Sequence, residues 1–162
     1  MTAMEDQKLT VGWREWVALP DLNIPAIKAK IDTGAKTSSL HAFDMEVFRA
    51  GGGQKVRFGI HPLQRNTDIV LYCEADIKDL RTVTDSGGHG EKRYVICTTL
   101  SLGNHRLPIE MTLARRDNMK YRMLLGRSAL RGRFLIDLDK AYLFGRTLSK
   151  AYAKDRGKRR TK

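Results

Sequence analysis

Cysteine, long apolar runs and metal-binding motifs are all scarce in this chain, and each shortage removes a class of protein. Its 162 residues hold only two cysteines, Cys73 and Cys97. They lie in separate apolar stretches without close spacing, which rules out a disulfide scaffold and a zinc ribbon. Both are expected as reduced core residues. No run approaches the ~18 apolar residues of a membrane span. Residues 1–8 lack the apolar core of a signal peptide, so the expectation is a cytoplasmic protein that does not engage membranes.

Motifs for cofactor chemistry are missing too. The histidines His41, His61, His89 and His105 form no H-E-x-x-H pattern, and Gly51-Gly52-Gly53 runs into Gln54-Lys55 without the spacing or hydroxyl residue of a phosphate-binding loop. No cofactor and no ATP site are expected. One metal set stays open, a composite of His41, His61 and Asp32, because a catalytic zinc needs only three protein ligands. Ser38, Ser39 and His41 are adjacent but lack a G-x-S-x-G elbow, and neither cysteine stands at a helix N-terminus that would activate a thiol.

What the chain has in excess is positive charge, +12 in total. Residues 150–162 carry seven basic side chains against the single acid Asp155, which is +6 of that excess. Residues 147–162 therefore read as a basic, disordered tail that either brings the protein near ribosomes or RNA or simply keeps it soluble. Lys28, Lys30, Lys36, Arg115, Arg116, Arg127, Arg131 and Arg133 add charge in the body. An acidic substrate follows as an expectation.

The remainder reads as one domain over residues 9–146, with neither a linker nor an internal repeat. Ten apolar or alternating runs suggest strands: 11–19, 24–31, 40–48, 56–60, 69–77, 94–102, 107–113, 122–125, 134–138 and 141–144. Gly51-Gly52-Gly53 and Leu102-Gly103-Asn104-His105 mark hairpin turns. Residues 62–68 read as a loop and Ser128-Ala129-Leu130-Arg131 as a short helix. Trp13 and Trp16, three residues apart in one strand, are expected on opposite faces as core or dimer contacts. The fold class is all-β.

One segment carries candidate chemistry. Ala29-Lys30-Ile31-Asp32-Thr33-Gly34-Ala35 places a carboxylate at the end of a strand and follows it with a tight turn, which also suits a plain turn-capping Asp. Late in the chain, Met123-Leu124-Leu125-Gly126-Arg127 leads from an apolar run into the short helix. This order resembles that of the retropepsins, with Asp-Thr-Gly-Ala early, a hairpin mid-chain, and an apolar-apolar-Gly-Arg strand before a helix. More closely, the chain resembles the bacterial retropepsin-like family labelled "ATP-dependent zinc protease" and associated with the ribosomal-protein glutamate ligase. The blocks that carry this are residues 30–42, Arg116-Asp117-Asn118-Met119, and 123–134.

The resemblance implies a closed, six-stranded-type acid-protease barrel with one short C-terminal helix. It implies a homodimeric aspartic peptidase in which Asp32 meets its symmetry mate and the pair holds the attacking water. Thr33, Gly34, Ala35, Gly126 and Arg127 would support that site. Gly87, Gly88 and His89 sit in a glycine-rich stretch between Arg81-Thr82-Val83 and Arg93-Tyr94-Val95-Ile96, and would form a flap whose His either meets substrate or is merely exposed. Lys36 stands where viral enzymes commonly carry an acid. Strand alternation sets Lys28 and Lys30 on the face of Asp32, where they would favour an acidic or glutamylated substrate; otherwise they point to solvent on an edge strand. The other reading is a binding module that holds an acidic or ribosomal partner without catalysis.

Overall fold

The computed structural model describes residues 8–84, 87–116 and 120–153. The first strands are β1 (Leu9–Gly12), β2 (Arg14–Leu19) and β3 (Ile24–Ile31), with a single 3₁₀ turn at Pro20–Leu22 between the last two. Then come β4 (Ser38–His41), β5 (Phe43–Ala50), β6 (Gly53–Ile60), β7 (Leu71–Asp76), β8 (Asp79–Thr84), β9 (Gly90–Leu102) and β10 (His105–Ala114). After β11 (Met123–Leu125) follow the one-turn helix α1 (Arg127–Leu130) and β12 (Phe134–Asp137). The chain is mostly strand, as its alternating runs imply, and α1 falls where a short helix is expected.

Among the described residues the strands form three sheets. The largest runs β10-β4-β11-β3-β2-β9-β8, and β9 pairs with β10 as well, so the two strands meet from opposite parts of that order. The others are β5-β6-β7 and the parallel pair β1-β12. Both glycine signals sit at hairpin turns: Gly51 and Gly52 have φ of 62° and 81° between β5 and β6, a conformation that costs a glycine little. Inward residues of β2, β3, β9, β10 and β11 build one core around Val17, Ile27, Ile96, Leu100, Met111 and Met123.

Three local expectations change. The run at 141–144 is not a strand, because Leu143 N–H and Phe144 N–H donate to the buried carboxylate of Glu15 at 3.0 and 3.1 Å instead of to a neighbouring strand. Gly12 N–H donates to the same group at 2.7 Å, so this carboxylate fastens the segment after β12 to the start of β2. Cys97 is exposed, since strand alternation on β9 turns it away from the core that holds Cys73. Trp13 lies in a bend between β1 and β2, so the alternation that would oppose it to Trp16 does not apply.

Order also continues past residue 146. Thr147–Lys150 form a 3₁₀ turn, and Tyr152 is 3% exposed in a second cluster with Trp16, Ala26, Leu63 and Ile69. Its hydroxyl donates to Ala26 C=O at 2.6 Å. Buried tyrosine needs such a partner. Thr147–Lys150 thus have regular structure and Tyr152 is anchored in the second cluster, although most of residues 147–153 are exposed, and residues 154–162 lie outside the described residues. Among the described residues no helix is long and apolar enough to cross a membrane.

Candidate active site

Strand β3 ends at Ile31 because its partner β11 ends opposite it, at Leu125. Asp32 follows in a turn, with its N–H donating to Leu125 C=O at 2.9 Å and its own C=O accepting from Ala35 N–H at 3.3 Å. Its Oδ1 accepts from Gly34 N–H at 3.1 Å, the Asx-turn bond expected of an Asp two residues before a Gly. This holds one oxygen of the carboxylate against the backbone. The side chain is half-buried, and Thr33 and Gly34 beside it are exposed.

A second segment clamps this turn. Arg127 N–H donates to Ala35 C=O at 2.8 Å, Ser128 N–H to Lys36 C=O at 2.9 Å, and the Arg127 guanidinium to Thr33 C=O at 2.8 Å. From below, Gly126 N–H donates to the buried Ser38 Oγ at 3.0 Å. Gly126 must be glycine for lack of space, since a Cβ there would lie 2.7 Å from the Thr37 carbonyl carbon and 2.9 Å from Lys36 O. Both contacts are backbone and cannot swing away. The early and late blocks of the sequence are therefore one structure, joined by β11 lying between β3 and β4. Ser38, inside the block 30–42 and six residues after Asp32 at the start of β4, is the side chain by which the early block holds Gly126, a role that adjacency to Ser39 and His41 does not reveal.

The other candidate residues disperse. Lys30 is exposed, and Lys28 lies over the rings of Trp16 and Tyr142 at 5.4 and 5.8 Å on the outer side of β2 and β3. Strand β3 is interior to its sheet, flanked by β2 and β11, so neither lysine is on an edge. Lys36 is exposed on the Asp32 turn. The imidazole of His41 is buried and accepts from Arg116 N–H at 3.3 Å, while that of His61 stacks on Phe43 at 4.6 Å. Among the described residues no group of three His, Cys, Asp or Glu side chains is placed to hold a metal, so His41, His61 and Asp32 do not assemble as one.

Strands β8 and β9 do form a hairpin, paired from Thr84↔Gly90 to Asp79↔Val95. Gly87, Gly88 and His89 are exposed at its tip, with Gly88 at φ 84°; Asp85 and Ser86 lie outside the described residues. Its base carries a charge network: Glu110 accepts from Lys78 at 2.9 Å and Arg81 at 2.7 Å, and Arg81 also binds Asp79 at 2.8 Å. The hydrogen bond from Lys78 holds Glu110 below the usual carboxylate range, and that from Arg81 does the same for Asp79. Two surface hollows, of about 410 and 320 Å³, lie elsewhere, at the β5–β6 turn and beside Asp21 and Tyr72. Neither is lined by Asp32.

Residues 10–147 match the family described as RimB-like, retropepsin-like aspartic endopeptidase RimB. A protein of Shewanella halifaxensis named "Probable alpha-L-glutamate ligase" is 44% identical over 142 residues, which are 88% of this chain and 31% of that protein. One of the same name from Parasynechococcus marenigrum is 45% identical over 139 residues, 86% of this chain and 30% of its own length. This chain thus spans about a third of the curated relatives it matches. A crystal structure of a Legionella pneumophila protein of unknown function superposes with a TM-score of 0.71 at 26% identity, covering 85% of this chain and 99% of that one.

Proposed function

Because this chain belongs to the RimB-like family of retropepsin-like aspartic endopeptidases, we propose that it is an aspartic peptidase of the cytoplasm, working as a homodimer with one Asp32 from each copy. The observation that carries this reading is the clamped turn, with Asp32 held by Leu125 and Gly34 and the carbonyls of Thr33, Ala35 and Lys36 held by the segment at Arg127 and Ser128. A turn-capping Asp needs only its own loop. Here a second segment, far away in sequence, positions the same few backbone atoms.

The chemistry follows from pairing two such turns. Two adjacent carboxyls cannot both ionise easily, so they share one proton. The ionised Asp32 takes a proton from the water as the water oxygen forms a bond to the scissile carbonyl carbon, and the protonated Asp32 gives its proton to the carbonyl oxygen. Collapse of the tetrahedral diol breaks the C–N bond and returns a proton to the leaving amine. No metal has a part in this route.

Several features support the finer parts. The ring of pairings β2-β3-β11-β4-β10-β9 and back to β2 fits a closed six-stranded barrel, with β8 and the first half of β9 as a flap over the cleft. Leu135 and Leu138, at and just beyond β12, are 55% and 75% exposed, as befits a seam with a second copy. The charge of +12 favours acidic substrates, the ligase names of the relatives suggest a glutamate-extended protein, and the family resemblance of the sequence points to a ribosomal one. Two thirds of those relatives lie outside the match, and the ligase name is theirs.

The test incubates an oligoglutamate-tailed protein with the wild type and with Asp32→Asn, each with and without a strong chelator, and reads the products by mass spectrometry. The substitution should lower turnover by about 100- to 10,000-fold while the chelator changes nothing. Loss of cleavage to the chelator alone would instead favour a zinc peptidase. Binding without cleavage by the wild type would favour the module that holds an acidic or ribosomal partner.

A further inference from the structure

The outer face of β2 and β3 carries or borders four cations, Arg14, Lys28, Lys30 and Arg146. Arg14 stacks its guanidinium over Trp13 at 4.4 Å and over Tyr142 at 4.9 Å. Lys28 lies over Trp16 and Tyr142, and Arg146 covers Tyr142 at 4.5 Å. Lys30 is exposed directly opposite Arg14 in the β2–β3 register, as Lys28 is opposite Trp16. Among the described residues none of the four forms an ion pair. Like charges facing each other across a strand pair are destabilising. Arg14 Nε is also buried without a hydrogen-bond partner.

We propose that this face is a docking track for an acidic polypeptide, separate from the Asp32 turn and leading to it. Residues on one face of a strand recur about every 6.6 Å, so Lys28, Lys30 and the turn at Asp32 mark a line about 13 Å long. An extended acidic chain repeats its carboxylates on one side at nearly the same interval. Three aromatic rings lie against three of the four cations, Arg14, Lys28 and Arg146, which lowers the ordering cost of meeting an anionic strand. Trp16 is buried, and Trp13 and Tyr142 already lie under guanidinium groups that would compete with a stacking base. That favours a polypeptide over a nucleic acid. The proposal rests on the acidic-substrate part of the peptidase reading and adds where the chain beyond the cleavage point is held.

The test measures the anisotropy of a fluorescein-labelled oligoglutamate peptide with the full chain carrying Asp32→Asn, so that the probe is not consumed. Adding Lys28→Gln and Arg146→Gln should raise Kd roughly tenfold at low salt. Arg146→Gln alone, at an exposed position, should raise it about two- to threefold, and decides the matter if the double variant does not fold. An unchanged Kd in a folded variant overturns the track. So does an oligoribonucleotide of equal charge that binds more tightly and displaces the peptide. Cleavage is read separately in the Asp32 chain: turnover with an unaltered Kd sinks the track alone, and charge-dependent binding without turnover sinks the peptidase alone.

Discussion

Gly126 sits where the Asp32 turn has no spare volume, and its effect on activity should exceed its effect on stability. In Gly126→Ala the new methyl meets backbone atoms of Lys36 and Thr37 within 3 Å, so the loop carrying Asp32 must shift. A cost of about 1–3 kcal/mol is expected from such overpacking, measured by urea unfolding, with turnover lost although Asp32 is intact. Full activity in this variant would mean that the clamp does not position the carboxylate. The two cysteines give a second test. Burial pushes the Cys73 thiol up to about 11, and burial likewise pushes the Tyr152 hydroxyl up to about 12. Between pH 9 and 12 the unfolded chain releases protons that the folded chain retains, so stability falls as pH rises through that window. Alkylation at pH 8 should label exposed Cys97 and leave Cys73 unmodified until the chain is denatured. Labelling of both at equal rates would contradict the buried site. The difference between the cysteines was hidden from sequence, where both lie in apolar stretches; only the sheet decides which face of β9 is covered.

Hairpin β8–β9 is the element whose behaviour depends most on charge. Its inner base is tied to β10 by Lys78 and Arg81 on Glu110, while its tip is glycine-rich and exposed. Replacing Glu110 with Gln removes both ion pairs. Amides of residues 79–84 should then exchange a few-fold faster, with β10 unchanged, since pairs this exposed contribute little individually. Lowering the pH should act in the same direction. Asp79 and Glu110 both have lowered values in the fold, so their contribution is present above the unfolded carboxylate range and is lost as pH falls through the folded values. Exchange that ignores both changes would show that the network does not restrain the hairpin. The strands and glycine turns here were readable from alternation and composition. Strand β8 was visible only as the short run before the glycines, because its mostly exposed pattern lacks a buried face.

Dimerisation belongs to the whole molecule. If two Asp32 turns form one site, dilution below the dimer dissociation constant should lower activity per chain, and Leu135→Asp with Leu138→Asp should yield a monomer by sedimentation that has lost turnover. A fully active monomer would defeat the paired-carboxylate mechanism. At this scale the division between sequence and structure is physical. Alternation, glycine turns and the blocks around Asp32 and Gly126 are local properties, and they determined the strand content, the short helix and the candidate acid. Only tertiary structure decided what depends on contacts between distant residues: that β11 lies between β3 and β4 and brings Arg127 onto Thr33, that Glu15 fastens residues 143 and 144, and that Tyr152 packs on Ala26. It also decided that Lys28 belongs to an aromatic face on the outside of β3. The period of a strand tells which residues share a side, but what covers that side is set by chain segments more than a hundred residues away.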